Sequence, residues 1–484
     1  MDHVTKSDRG ILLLLGLTTV ARLIFAASFP PLDDEAYYWT WAHHLAWGYP
    51  DHPPMIAFIL RGSIALAGDT PLGIRMGPVL LALGTPLLLW DLGRQMFGTA
   101  VGRIAALWFQ LIPALALGAI FAAPDAPLGF FWILTLWSFW RALTSGTVIA
   151  WLLTGLALGM AMMSKLTAAF LALALPGFLL TSPMHRRWLR RWEPYGAALV
   201  SVLVVLPAVL WNADHGWVMI RKSSAPAPWT QLGSGGLDFL AYTAGQLVYY
   251  GPVAAVLLLL ALAASVRWAR RGDNRFALVT WASIPLIGVN WLASAQGIPK
   301  PHWPAPGYLI ALLPAAALWL QVRARQTWRA LAGIAVGLNL LIVVAIYVLP
   351  FRPPPSFAGQ LWGWDQVAAK LDTLINQAQA GRDAFILSAS YQTASQIDYH
   401  THGRFVVTTA GANDAFAVRR NVDALVGRDA VFINDVAGAP GVPLALMFER
   451  VERLPDFEVV HGGQVVRRFA IYRCTGFKSL PVPD

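Results

Sequence analysis

"PPLDDEAYYWTWAHHLAWGYPDHPPM", Pro30 to Met55, decides how this chain reads. It holds four carboxylates (Asp33, Asp34, Glu35, Asp51), three histidines (His43, His44, His52) and six other aromatic rings. It follows directly on a long apolar run. The question is what surroundings need so many proton-active groups beside a hydrophobic segment.

Composition supplies the surroundings. Of 484 residues, 57% are hydrophobic and only 13% charged, against about 25% charged in a soluble domain. Runs of about 18 or more apolar residues mark membrane helices. We expect spans at 10–28, 72–93, 101–122, 126–143, 147–163, 166–182, 196–212, 244–266, 276–294, 304–322 and 329–350. The fold class is therefore a polytopic α-helical membrane protein of about eleven spans. "AAS" at 26–28 resembles a cleavage site, but the apolar run before it is long for a signal peptide, so it reads as an uncleaved anchor. The net charge of +10 does not signal nucleic acid, because the basic residues sit in short clusters between apolar runs. Cys474, the single cysteine, excludes an internal disulfide and offers no cysteine metal site.

Charge sets the alternation. With the N-terminus in the cytoplasm, that side collects Lys6, Arg9, Arg94, Arg103, Arg141, the arginines of 186–191, those of 267–275, and Arg323, Arg325 and Arg329. The opposite loops hold only Arg61, Arg75, Lys165, Arg221, Lys222 and Lys300. This is the positive-inside pattern. An odd span count then puts residues 351–484 outside. Their short β-like runs ("DAFILSASYQTA", "GRFVVTT", "DAVFIND", "FEVVHGG", "RRFAIYRC") flank helix-like stretches at 364–380 and 413–426. They predict a soluble C-terminal α/β domain following a transmembrane domain at 1–350, with "RPPPS" at 352–356 as a stiff hinge.

The opening stretch now lies in the first outer loop, 29–71. Pro30 and Pro31 end the first helix, and Asp33 is placed to cap a second that ends near Gly48. Tyr37, Tyr38, Trp39, Trp41 and Trp47 read as an aromatic belt at the membrane surface. Capping accounts for one acid, not three in a row. Other outer loops offer Asp125, Lys165, Asp214 with His215, and Lys300 with His302. Cations on the side that avoids them are candidates for binding an anion, whereas Arg221 and Lys222 read as solvated or lipid-facing.

Acids and cations together suit sugar transfer from a polyprenyl-phosphate carrier. The attacking hydroxyl has a high pKa and needs a carboxylate to take its proton. The leaving phosphate is already anionic and needs a cation. Asp34 fits the first need, and His52, Lys165, Lys300 and His302 the second. Tyr38, Asp51, Asp125 and Asp214 are the candidate substrate contacts. A divalent metal bridging Asp34, Glu35 or Asp51 to the phosphate is also compatible, though no spacing is diagnostic.

"DDEAYYWTWAHHLAWGYPDHPP", "AAPDAPLGFFW", "GLALGMAMMSKLTA", "WNADHGW" and "PKPHWPAPGY", in this order, resemble bacterial members of the dolichyl-phosphate-mannose protein mannosyltransferase superfamily, glycosyltransferase family 39, of GT-C fold. The resemblance covers about residues 10–350. It implies an inverting glycosyltransferase of the inner membrane with its site and C-terminal domain periplasmic. Its partners would be a polyprenyl-phosphate-linked sugar, membrane lipids and a glycolipid or glycan acceptor, lipid A foremost. The family's Asp-Glu pair falls on Asp34 and Glu35, which the resemblance makes catalytic. The lipid A aminoarabinose transferase carries Glu-Lys-Pro later in this loop. Here the chain has Asp51-His52-Pro53, so the cationic role passes to Lys165 or Lys300. Protein O-mannosylation and, more remotely, a transporter are the alternatives; a transporter would place its ions near the membrane midplane.

Overall fold

The computed structural model describes residues 6–224, 235–295, 300–378, 384–411, 414–436 and 441–480. The predicted stretches 297–308, 364–380, 383–394 and 413–426 each begin or end outside them. The chain opens with α1 (Lys6–Ala27), then α2 (Asp33–His43) and α3 (Met55–Ala67). There follow α4 (Pro71–Phe97), α5 (Thr99–Leu111), α6 (Pro113–Gly118), α7 (Asp125–Ser145), α8 (Val148–Ser164), α9 (Ala169–Thr181), α10 (Glu193–Asp214) and α11 (Val218–Ser224). The helical part closes with α12 (Gly235–Tyr250), α13 (Pro252–Arg270), α14 (Asn274–Ala293), α15 (Ala305–Val322) and α16 (Gln326–Val348). Among the described residues, α1, α4, α10, α13, α14, α15 and α16 are long and apolar enough to cross a membrane, and α3, α8 and α9 are shorter apolar helices. Leu13, Leu17 and Ile24 of α1 and Leu199, Val202 and Leu203 of α10 point outward. A continuous apolar exterior of this kind suits lipid.

Polar ties sort the helix ends onto two faces. On one, Arg103 pairs with Asp8 at 2.8 Å, Arg275 reaches the Met96 carbonyl at 3.2 Å, and Ser182 bonds Asn274 at 2.6 Å. On the other lie α2, α3, the starts of α4 and α7, and the α8–α9 turn. These helix ends thus fall on two opposite faces, while seven helices, against the eleven spans expected, reach membrane length among the described residues. Two expected continuous spans are broken. The run 101–122 breaks at Ile112, extended at φ −74°, ψ 118°, before Pro113. Proline lacks the N–H that a continuing helix needs. The run 244–266 breaks at Gly251, at φ +85°, where an added Cβ would lie 1.7 Å from the Asn339 side-chain oxygen. Only glycine takes that conformation and that approach together.

The C-terminal part contains α17 (Pro355–Leu361), α18 (Trp364–Ala378), β1 (Ala384–Ser388), α19 (Tyr391–His400), β2 (Val407–Thr409) and α20 (Ala415–Arg419). It continues through β3 (Asp429–Asp435), α21 (Leu444–Met447), β4 (Phe448–Arg453), β5 (Phe457–His461) and β6 (Gln464–Phe477). The sheet runs β2-β1-β3-β6-β4, with β5 also on β6. β1 is parallel to β2 and β3; β6 is antiparallel to β3, β4 and β5. β1 is buried along its whole length, as a strand covered on both faces must be. One face packs Phe385, Phe432 and Phe448. The other joins Ile386, Val431, Phe469 and Ile471 to Tyr37, Trp41, Ile56 and Leu60 of α2 and α3.

That shared core corrects three expectations. Tyr37, Tyr38, Trp39 and Trp41 are not a membrane-surface belt: each is 7% exposed or less, and of the five only Trp47 is open. α2 stops at His43, well before Gly48. The proline run leads directly into α17, and the domain is seated on α2 rather than swinging from a hinge.

Candidate active site

The first turn of α2 sends its acids in different directions. Asp33 is the first residue of the helix, not its cap. The turn is closed by Glu35, whose Oε2 accepts the Leu32 N–H at 3.0 Å. Glu35 is buried and faces Arg75 of α4, which donates to Oε1 at 2.8 Å and Oε2 at 2.5 Å. Oε1 also accepts the Ala122 N–H at 2.9 Å. All four acceptor positions of the carboxylate are taken by protein donors. Arg75 also binds the carbonyls of Ala26, Phe29 and Pro30 at 2.8–2.9 Å and lies 3.9 Å over the Phe29 ring. The expected catalytic role of Glu35 has no free lone pair to serve it; the residue locks α1, α2, α4 and the loop before α7 together.

Asp34, one residue earlier, is exposed. Its Oδ1 accepts from the Tyr391 hydroxyl of α19 at 3.1 Å. Asp33 turns toward the sheet domain, where Gln396 donates to it at 2.9 Å. Burial raises the Asp33 carboxyl above the usual range, against the nearby Arg467 charge.

Tyr38 sits at the centre. Its ring is buried, and its hydroxyl makes no hydrogen bond among the described residues. Burial pushes its pKa well up, and the charges of Asp34, Asp51 and Asp125 add to the rise. The His52 ring lies 6.5 Å away. His52 is depressed to about 3, by burial first and then by Lys165, with Lys300 and Lys222 adding and Asp125 opposing. His302 is depressed to about 4, again chiefly by burial. Both imidazoles are therefore neutral near pH 7, and supply N–H donors rather than the cations expected of them.

The cations come from elsewhere. Lys165, at the extended break between α8 and α9, is 6% exposed and grips Asp125 through both oxygens at 2.8 and 2.9 Å. His302 stands 3.9 Å from the same carboxylate. Lys222 of α11, expected to be solvated, pairs with Asp51 at 2.5 Å. Asp51 also accepts the Tyr37 hydroxyl at 2.8 Å. Lys300 is exposed at the rim. Asp214 does not join: it is exposed at the end of α10, with no bonded partner among the described residues. Nor do the described residues hold any group of three His, Cys, Asp or Glu arranged to bind a metal ion.

Beneath Asp125 and His302 a cavity of about 190 Å³ descends past Tyr249, Phe121 and Leu115 to Phe109 and Thr85. Beyond the Pro113 break an apolar cavity of about 260 Å³ lies among Trp108, Ile112, Leu258, Trp319 and Ala335. The segment between them gives Trp108, Leu111 and Ile112 to the apolar cavity and Phe109, Ala114 and Leu115 to the other.

Sequence reasoning missed Tyr391, Lys222 and Arg75. Arg75 and Lys222 carried a usable signal, being cations on the sparse side exactly as Lys165 is. Tyr391 lies in "SYQTASQIDYH", which resembles the tail of the same bacterial subfamily, but nothing in that stretch ties it to Asp34.

Residues 51–211 match the family described as dolichyl-phosphate-mannose-protein mannosyltransferase. The chain is 28% identical over 314 residues to the lipid A galacturonosyltransferase RgtD of Rhizobium johnstonii, covering 64% of this chain and 65% of that protein. It is 30% identical over 182 residues to the undecaprenyl phosphate-alpha-4-amino-4-deoxy-L-arabinose arabinosyl transferase of Pseudomonas paraeruginosa, covering 36% of this chain and 32% of that protein. The fold matches crystal structures of ArnT from Cupriavidus metallidurans: the apo state at TM-score 0.65, and the form bound to undecaprenyl phosphate at 0.64. Each match has 15% identity and covers 96% of this chain and 98% of the other. These likenesses fit a multi-pass protein of a bacterial inner membrane. The chain is thus similar in sequence, over part of its length, to the rhizobial lipid A galacturonosyltransferase and to the aminoarabinose transferases, and it shares the fold of ArnT.

Proposed function

We propose that the chain transfers a sugar from a polyprenyl phosphate to an envelope glycolipid, lipid A first, by a single inverting displacement. The observation that carries this reading is the division of charge around Tyr38. The exposed carboxylate of Asp34 bears on Tyr38, and Lys165, Lys300 and Lys222 bear on His52, whose ring lies 6.5 Å from that of Tyr38. The acceptor oxygen attacks the anomeric carbon and its proton passes to Asp34. The bond from that carbon to the phosphate oxygen breaks, and its electron pair leaves on the phosphate. The lysines, with N–H donors from His52 and His302, meet that charge. The paired apolar cavities below suit the lipid tail of such a donor, and undecaprenyl phosphate is what the Cupriavidus structure binds.

Orientation follows from the charge bias: N-terminus cytoplasmic, site and sheet domain periplasmic. For the sugar we favour a uronic acid. The relative aligned over 314 residues is named for galacturonic acid. Such a donor carries a second anion, and Lys300 at the rim has no bonded partner among the described residues.

The test is mass spectrometry of envelope lipids from host cells with the protein, without it, and with Asp34→Asn. A lipid that loses one uronic acid mass in both altered strains supports the reading, and a different lost sugar mass corrects the donor. Unchanged lipids contradict it; a glycoprotein that loses its sugar in the same strains would indicate protein glycosylation instead.

A further inference from the structure

The sheet domain has so far only been a lid on α2. Its contacts say more. α19 starts at Tyr391 because Ser390 caps it, its hydroxyl accepting the Thr393 N–H at 3.3 Å. The Tyr391 ring lies 4.4 Å from that of Tyr37, and its hydroxyl reaches Asp34 Oδ1. Two more bonds hold this face in register. Gln396 donates to Asp33 and to the Pro31 carbonyl at 2.9 and 3.0 Å. The Ala415 N–H donates to the Tyr37 hydroxyl at 2.7 Å.

An aspartate on an exposed first turn has free rotamers, and a general base has to aim one lone pair. Asp34 has a single bonded partner among the described residues, and it comes from a segment more than 350 positions away. Oδ2 is left open. We propose that Tyr391 is a positioning residue that orients Asp34 toward the acceptor, which makes the C-terminal domain part of the active site. This rests on the reading of Asp34 as the base. The titratable and charged groups around the pair are Asp33 and Tyr38 on α2, Tyr37 under the Tyr391 ring, Asp51 in the following loop, and Arg467 of β6 near Asp33. Burial keeps the Tyr391 phenol protonated, so it donates throughout the working range.

The experiment complements a strain lacking the protein with wild type, Tyr391→Phe or Asp34→Asn at equal protein level. It follows the rate of the lipid modification. Tyr391→Phe should be slowed about tenfold. No loss overturns the proposal while leaving the function intact. An Asp34→Asn strain that modifies lipid normally overturns the function itself. A chain with 3-fluorotyrosine at 391 keeps ring and hydroxyl and should work at the wild-type rate; a loss equal to that of Tyr391→Phe overturns the proposal.

Discussion

Asp34 and Glu35 are neighbours on one helical turn and live under opposite conditions. Glu35 points into the bundle and is fully bonded, with Arg75 wholly buried beside it. Asp34 points at the site and holds one bond. Successive helical residues are about 100° apart, so one turn can serve the scaffold and the reaction at once. A second contrast follows. Arg75 is matched entirely by protein groups, whereas Lys165 grips an Asp125 that borders a cavity.

The largest effect should come from breaking the scaffold pair. Arg75→Ala leaves a buried, uncompensated carboxylate, which costs about 3–5 kcal/mol. The detergent-solubilised protein should lose cooperative unfolding or melt far lower; a melting temperature near wild type would put Glu35 and Arg75 on the surface of the account. A middle-sized effect belongs to the cavity pair. Undecaprenyl phosphate should raise the unfolding temperature of the wild type by about several degrees, by mass action. Lys165→Met should remove most of that rise, and an undiminished rise would exclude Lys165 from phosphate binding.

A third effect concerns pH. His52 in the folded chain binds a proton only near pH 3, against 6.5 ordinarily. Between those values the unfolded chain holds the extra proton, so stability falls as pH is lowered from about 6.5 toward 3. His52→Asn should flatten that part of the stability curve. If the acid loss is the same in the variant, the imidazole is not held neutral by the fold.

The helical membrane class was legible because apolar length is written locally. The breaks at Pro113 and Gly251 were not, since a hydropathy window averages across a single bend. The aromatics of α2 were misread because their partners, Phe416, Phe469 and Ile471, lie in a domain that sequence alone does not dock. β4 escaped because "FERVER" carries charge on its open side, and the start of α19 was hidden inside a β-like run. Asp34, Lys165 and Asp125 stood out by residue type on the sparse side of the membrane. The separate fates of Asp34 and Glu35 did not, because they turn on Arg75, forty residues later, and on Tyr391.

The most direct measurement compares wild type, Asp34→Asn and Glu35→Gln, purified in lipid vesicles with lipids extracted from the host. It reads sugar transfer to lipid A and the unfolding temperature of each. Asp34→Asn should lose at least about a hundredfold in rate at an unchanged unfolding temperature, whereas Glu35→Gln should lower the unfolding temperature. Transfer at the wild-type rate by Asp34→Asn would contradict the assignment of the base, and with it the account of the site.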